Sequence, residues 1–525
     1  MWWLTLGAAA GIAAFLLWPL PGSARWDIAP DPALAQGKRT YLAGLEDRAP
    51  GTGPNVLLIV ADDLGRHDVG YAGGVPTPNI DALAATATTF TSAYATAAIC
   101  APSRAALLTG RIQNRFGFES QPMQRYVRNR GEYLAFRYLI DTDAMQPFLL
   151  DAYPDASQRA AQGLPASEVT LADVFGALGY RTGIFGKWHL GYDTRNHPLR
   201  FGFDTQYGFL EAFSLYAPKD ATDIETQRQN LFWEEHIWQM GRSGPSAITR
   251  NGQAIDEPRY LTDAITAEAT DFIDTALDAG RPFFAYLPYS APHTPFQARR
   301  EDYDATPPSA DHNHRVYAAM IRRLDHDIGE LLAHLRARKA LDDTLVVFTS
   351  DNGGADYTGA TDNGPLRGGK FTQFEGGLAV PLVIRWPGAG RRATVHDPVL
   401  LSDLFATLLA AVGAPLPEDR PYDSRDLSAS APAGPRLLAW RSDFNLAVRR
   451  GHWKLLQNVR DHTVALFDLD ADPGETRDLS GTRPEVVASL RAALDTWQAP
   501  LAPPAWPRVM NYRYEDDGGR YWFAI

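Results

Sequence analysis

Val56-Leu57-Leu58-Ile59-Val60 follows Asn55 and runs directly into Ala61-Asp62-Asp63-Leu64-Gly65. The apolar run is branched and has no polar alternate. Such a segment suits a parallel strand buried on both faces rather than an amphipathic hairpin. Two adjacent carboxylates immediately after it are costly in an apolar interior unless a cation pairs them. In open α/β sheets, ligands gather beyond the carboxyl ends of strands. A hard divalent cation such as calcium takes several carboxylate and amide oxygens. The alternative is a solvated Asp-Asp turn.

Working outward, the same pattern recurs three times. Tyr180 to Phe185 reads as a strand and runs into Gly186-Lys187-Trp188-His189-Leu190-Gly191. Lys187 and His189 lie two apart, so an extended segment points both side chains the same way. Phe283 to Leu287 ends at Ser290-Ala291-Pro292-His293-Thr294-Pro295, where two prolines hold a group that titrates near neutral pH. Thr344 to Ser350 ends at Asp351-Asn352-Gly353-Gly354, adding a carboxylate and an amide oxygen to the Asp62-Asp63 pair. The bland reading of Lys187 and His189 is a surface lysine beside a satisfied core histidine. Helical patterns separate the strands: Asn79 to Thr88 with Asn79 as cap, Leu171 to Phe175, Asp263 to Ala279, Val316 to Arg338, and Ser402 to Val412. Alternating strands and helices predict the α/β class. His312 and His314 read as loop, and Asp325-His326-Asp327 as a solvated stretch of its helix rather than a metal site. Pro365 to Lys370 supplies glycines that allow close backbone approach to a ligand.

Cys100-Ala101-Pro102-Ser103-Arg104 contains the only cysteine of 525 residues, and helix formers follow it at once. The spacing puts Cys100 at a helix N-terminus, where free N–H groups favour anions. A buried structural cysteine is the alternative. Cys-x-Pro-Ser-Arg followed by Leu108-Thr109-Gly110-Arg111 resembles the sulfatase family motif. Gly186 to Gly191, Ser350 to Gly354, the setting of His293, and Lys370 resemble further motifs of that family, in the same order. The resemblance spans roughly residues 54–500.

That resemblance implies an alkaline-phosphatase-like fold: a large mixed, mostly parallel sheet flanked by helices, plus a small C-terminal antiparallel sheet with one helix. It implies a sulfuric ester hydrolase that releases sulfate from an aryl or carbohydrate sulfate ester. In such enzymes a separate formylglycine-generating enzyme oxidises the cysteine, here Cys100, to formylglycine, whose hydrate attacks sulfur. One Ca2+ per chain would be held by Asp62, Asp63, residue 100, Asp351 and Asn352. Lys187, Lys370 and Arg104 would neutralise the sulfate. His293 would protonate the departing alcohol, and His189 would help deprotonate the second hydroxyl that expels sulfate. Two alternatives stay open: a phosphonate monoester or phosphodiester hydrolase of the same superfamily, and a non-catalytic sulfated-glycan binder if Cys100 is unmodified. Asn363 to Arg367 and His197 to Asp204 resemble the subgroup acting on N-acetylgalactosamine 4-sulfate and similar sugars.

The net charge of −12 argues against a nucleic-acid surface. The chain stays apolar from Met1 to Leu20, and Gly22-Ser23-Ala24 supplies small residues. Residues 1–24 are therefore an export signal cleaved after Ala24, or a retained membrane anchor. One cysteine allows no internal disulfide, which together with export points to the bacterial periplasm. Residues 25–53 read as a linker with a short helix near Leu42, 54–425 as the catalytic domain, and 426–525 as an α+β subdomain with an aromatic tail. The subdomain shows three strand-like pieces from Leu437 to Leu456 and a helix from Pro484 to Trp497. Residues 119–163 look like an insertion; Arg125, Arg128, Arg130, Tyr126, Tyr133, Phe136 and Tyr138 suit either a wall for a sulfated sugar or a surface excursion. Residues 211–260 look irregular and offer Trp233, Trp238 and Arg242 as further substrate contacts.

Overall fold

The computed structural model describes residues 2–46, 53–228, 232–388, 392–428 and 436–525. Five parallel strands form the centre: β1 (Asn55–Ala61), β2 (Arg181–Lys187), β3 (Thr205–Phe209), β4 (Phe283–Pro288) and β5 (Thr344–Ser350). They lie in the order β5-β1-β4-β2-β3 within a ten-stranded sheet. Every contact between these neighbours is parallel. Antiparallel strands flank them, Leu382–Arg385 beside β5 and Thr249–Arg250 beside β3.

Among the described residues, helices of seven residues or more are α1 (Trp2–Leu17), α2 (Pro32–Glu46), α3 (Pro78–Thr86), α4 (Cys100–Thr109), α5 (Arg130–Tyr138), α6 (Leu171–Ala177), α7 (Phe232–Met240), α8 (Leu261–Asp278), α9 (His312–Ala337), α10 (Asp403–Ala411) and α11 (Pro484–Gln498). The two faces of β1 explain its uniform apolarity. Leu57 and Ile59 join one buried cluster with α3, α8 and α9. Val56, Leu58 and Val60 join another with α4, α6 and α10. Met320, Leu324, Ile328, Leu331 and Leu332 do share the buried face of α9.

Several local expectations change in three dimensions. α9 begins at His312, with Asp311 as its cap, so His312 and His314 belong to its first turn rather than to a loop. Asp325 and Asp327 are buried, not solvated. Asp325 accepts from the N–H groups of Asn79 at 3.1 Å and Ile80 at 2.8 Å, capping α3 from another helix. Thr77, not Asn79, is the N-cap position of α3, and Asn79 lends its side-chain amide to Asp325. The single-helix period carries no information about this contact, because it depends on where α3 docks.

The short helix expected near Leu42 is the 15-residue α2, which buries Leu45 and pairs Lys38 with Asp173 of α6 at 2.6 Å. Residues 47–52 of the expected linker, and 429–435 around the expected domain boundary, lie outside the described residues. Residues 119–163 contain α5 and a strand, Met145–Pro147, that pairs with the tail strand Met510–Asp516. Residues 211–260 contain α7 and three short strands. The C-terminal sheet has four antiparallel strands spanning Leu437 to Asp468. Lys454, fully buried, joins this sheet to the main domain by a 2.9 Å ion pair to Glu375 and also pairs with Glu475 of its own subdomain at 2.9 Å. No described helix is long and apolar enough to cross a membrane.

Candidate active site

Parallel strands place all their carboxyl ends on one edge. Asp62 and Asp63 follow β1, Lys187 ends β2, His293 follows β4, and Asp351 with Asn352 follows β5. α4 begins at Cys100, as its sequence predicts, and ends at Gly110, whose left-handed backbone (φ 68°) favours glycine. The start of α4 is aimed at this edge. Cys100 Sγ lies 3.4 Å from Asp62 Oδ1 and 3.8 Å from Asp63 Oδ1.

The cations interleave with the carboxylates. Lys187 Nζ donates to Asp62 Oδ2 at 2.6 Å. Lys370 Nζ donates to Asp63 Oδ2 at 2.8 Å and to His293 Nε2 at 3.0 Å. Arg104 Nε donates to Asp351 Oδ2 at 2.7 Å and reaches Asp62 Oδ2 at 3.4 Å. Asn352 Nδ2 donates to Asp63 Oδ1 at 2.7 Å. All of these side chains are buried. Every residue expected in the site except His189 is therefore tied to it by a contact.

His189 is fully buried too, but not for the expected reason. β2 ends at Lys187 and His189 adopts a left-handed backbone (φ 59°), so the two do not share an extended segment. Both its ring nitrogens are buried without a hydrogen-bond partner. Burial, then Lys187, pushes its proton affinity well below the ordinary histidine value. The glycines around Lys370 also differ from expectation. A Cβ on Gly353 would collide with the Gly376 carbonyl, and one on Gly376 with the Gly368 carbonyl. They let two loops pack backbone to backbone, which seats Lys370 against the Asn352 turn.

The charges balance. Burial raises the proton affinity of Asp62, but Lys187 and Arg104 outweigh it and hold the carboxyl below the usual range. For Asp63, burial is likewise outweighed by Lys370. Burial works against the Lys370 ammonium, yet Asp63 raises its pKa well above the usual lysine value. Burial pushes the Cys100 thiol well up, so it is neutral. Burial, with Lys370 beside it, lowers His293 to about 4, so it is neutral too. Its Nδ1 faces the Thr294 carbonyl and carries the proton, leaving Nε2 toward Lys370. Three carboxylates (Asp62, Asp63, Asp351) thus face three cations (Arg104, Lys187, Lys370).

This donor set fits a hard divalent cation. Asp62, Asp63, Cys100 and His293 offer ligand atoms within 4.8 Å of one another. Asn352 Oδ1 is buried with no hydrogen-bond partner, an amide oxygen free to bind a cation. The expected ligand set shares Asp62, Asp63 and residue 100 with this cluster. Asp351, the remaining expected ligand, accepts from Arg104 Nε at 2.7 Å and from the Asp63 N–H at 3.3 Å.

Two acids near the site were not singled out from sequence. Glu234, on α7, accepts from Thr294 Oγ1 and from Gln227 Nε2 at 3.2 Å, and burial lifts it to about 6. It braces the residue after His293. Glu211 lies just past β3, and burial lifts it to about 7; it accepts from Gln124 at 2.5 Å and Tyr192 at 3.3 Å. Its position beyond a strand end was the available signal. Of the expected substrate contacts, Arg242 instead donates to the carbonyls of Leu215 and Tyr216. Tyr126 is buried against Gln162, and Trp233 packs on Phe136.

The chain matches the Sulfatase family model over residues 54–414. It is 34% identical over 439 residues to N-acetylgalactosamine-6-sulfatase of Canis lupus familiaris, covering 80% of this chain and 76% of that one. It is 30% identical over 441 residues to steryl-sulfatase of Homo sapiens, covering 71% and 69%. Among solved structures, Ps i-CgsB in complex with k-i-k-neocarrahexaose aligns with a TM-score of 0.70 at 30% identity, covering 87% of this chain and 95% of that one. The first of these relatives bears a 6-sulfatase name, whereas the sequence resemblance pointed to the 4-sulfate subgroup. The alkaline-phosphatase-like architecture is shared with these sulfatases. The strand ends gather a buried, charge-balanced set of carboxylates and cations, and the family match across most of the length shows that this chain belongs to the sulfatase family and is a sulfuric ester hydrolase.

Proposed function

We propose that the chain hydrolyses a carbohydrate sulfate ester, with residue 100 as nucleophile after oxidation to formylglycine by a separate maturation enzyme, and with one bound Ca2+. The observation that carries this reading is the placement of Cys100 Sγ 3.4 Å from Asp62 inside a buried set of three cations and three carboxylates. Formylglycine supplies a hydrated aldehyde as nucleophile and a way to release sulfate from it. A cation would be held by Asp62, Asp63, Asp351, Asn352 and residue 100 and would supply positive charge near the sulfate oxygens.

The chain's own groups do the rest. With a divalent cation present the balanced site would carry an excess of two positive charges, of which a singly charged sulfate ester would offset one. Lys187 and Lys370 hold the sulfate oxygens, and Arg104 fixes Asp351 and Asp62. His293, its Nδ1 tied to the Thr294 carbonyl, presents Nε2 toward the site. An anion bound beside it raises its proton affinity, so it can protonate the leaving alkoxide. His189, with two unpartnered nitrogens, is free to take a proton from the nucleophile's second hydroxyl. A sugar substrate is supported by the names of the dog enzyme and the oligosaccharide-bound structure. The apolar N-terminus and the single cysteine support an exported, periplasmic enzyme.

Peptide mass spectrometry of residue 100, combined with turnover of sulfated mono- and disaccharides, an aryl sulfate and a phosphate diester, tests the proposal. A mass decrease at residue 100 and preference for a sulfated sugar are expected. Unmodified Cys100 in fully active protein, or faster diester turnover, would sink it.

A further inference from the structure

Nine of the twelve most exposed large apolar side chains among the described residues cluster in two places. Leu6, Ile12, Phe15, Leu17 and Trp18 lie on or next to α1 and are 59–70% exposed. Leu134, Tyr138, Leu139 and Leu149 lie on or after α5, with Tyr138 and Leu139 at 73% and 84%. The two helices are neighbours: the Arg130 guanidinium sits 4.6 Å over the Phe15 ring, and Pro19 bridges Asn129. The inward side of α5 is occupied, because Phe136 packs on Phe232 and Trp233. Exposed apolar groups are thus concentrated on one joint outer face. A contiguous face of this kind marks an interaction surface.

The charge along α5 is locally opposite to that of the body: the chain carries −12 overall, yet residues 121–140 hold four arginines and one acid, Glu132, the partner of Arg125 and Arg128, while exposed Asp141 and Asp151 follow beyond the helix; Arg125, Arg128 and Arg137, and Arg25 after α1, are exposed. Residues 1–24 contain no charged side chain. Apolar groups beside arginines match an anionic lipid surface, which takes one into its interior and binds the other at its headgroups. At 16 residues, α1 is about 24 Å long, short of the ~30 Å hydrocarbon core.

We propose that α1 and α5 together form a membrane-docking face that seats the enzyme on an anionic bilayer without spanning it. The 119–163 insertion then serves attachment rather than substrate binding. The proposal requires residues 1–24 to be retained, and the segment after α1 is hydrogen-bonded to the insertion. Leu20 N–H donates to the Arg128 carbonyl at 3.1 Å, Tyr153 N–H to the Pro21 carbonyl at 2.9 Å, and Trp26 Nε1 to the Ala152 carbonyl at 3.2 Å.

The test is vesicle flotation of the full chain, using phosphatidylcholine vesicles with and without one-quarter phosphatidylglycerol. Binding is read separately from turnover of a soluble aryl sulfate, so it stands or falls apart from the chemistry at residue 100. The wild-type chain should float with the anionic vesicles. A Leu134→Gln/Tyr138→Gln/Leu139→Gln variant and a Phe15→Gln/Trp18→Gln variant should each lose at least tenfold in partitioning with turnover unchanged. Arg125→Ala and Arg128→Ala should each weaken anionic-vesicle binding about fivefold and lose that effect in high salt. Failure of the wild-type chain to float overturns the proposal. So does wild-type binding by the α5 variant. A concentration-dependent dimer that the same substitutions dissociate, without vesicle binding, makes the face a contact between copies and also overturns it.

Discussion

Replacing Lys187 with Met tests the charge balance on which the site depends. Lys187 Nζ lies 2.6 Å from Asp62 Oδ2, and both side chains are fully buried. At an effective dielectric constant of about 20, that separation corresponds to ~6 kcal/mol of Coulomb attraction, part of which is offset by desolvation of the ammonium. Asp62 is not abandoned, because Arg104 reaches the same oxygen at 3.4 Å. Its carboxylate therefore stays ionised and keeps one partner. Lys187→Met should lower the stability of the metal-free catalytic domain by about 3 kcal/mol, the low end for breaking a buried pair. Adding Asp62→Asn removes the stranded charge and should return at least about 1 kcal/mol, a non-additivity readable in a double-mutant cycle. The assay is denaturant unfolding in chelator, repeated with added Ca2+. A cation that binds at Asp62 replaces the missing ammonium, so Ca2+ should raise the midpoint more in Lys187→Met than in the wild-type chain. A variant within about 0.5 kcal/mol of wild type, with no coupling to Asp62, would refute the reasoning. Equal Ca2+ shifts in the two proteins would remove the cation from this carboxylate.

Cys100→Ala should abolish turnover while the unfolding midpoint moves little, since one buried sulfur is lost from a helix start; persisting hydrolysis would remove Cys100 as nucleophile. His293→Gln should slow sugar sulfates by about 100-fold or more and activated aryl sulfates far less, as expected for loss of a general acid; equal losses would argue against that role. Burial raises Asp356 from 3.8 to about 7, so the folded state binds its proton more tightly than the unfolded chain does. Its stabilising contribution is complete below pH 3.8 and is lost as pH rises to about 7, a difference of at most about 4 kcal/mol. Asp356→Asn should therefore flatten the stability profile across that window and gain stability above pH 7; an unchanged profile would place the titration elsewhere. Lys454→Met leaves Glu375 and Glu475 buried without their shared cation, and should cost about 3–5 kcal/mol and loosen the C-terminal sheet, detected as an earlier separate unfolding transition.

The sequence alone determined features whose cause is local. The uninterrupted apolar run of β1 requires burial on both faces, and its two faces do enter separate cores. The helix formers after Cys100 place it at the start of α4. The polar groups that follow β1, β2, β4 and β5 mark the strand ends where a ligand gathers, and parallel pairing then brings them to one edge. Tertiary structure decided whatever depends on which elements meet. Asp325 looks solvated in its own helix and is buried because α3 docks its N-terminus there. His189 enters the buried edge through a left-handed turn that a two-residue spacing does not reveal. Arg104 spans Asp351 and Asp62, residues separated by 289 positions, and Glu234 reaches Thr294 from a region that looks irregular in sequence. Burial turned these polar groups into a balanced electrostatic unit, since only exclusion of water makes each missing partner expensive.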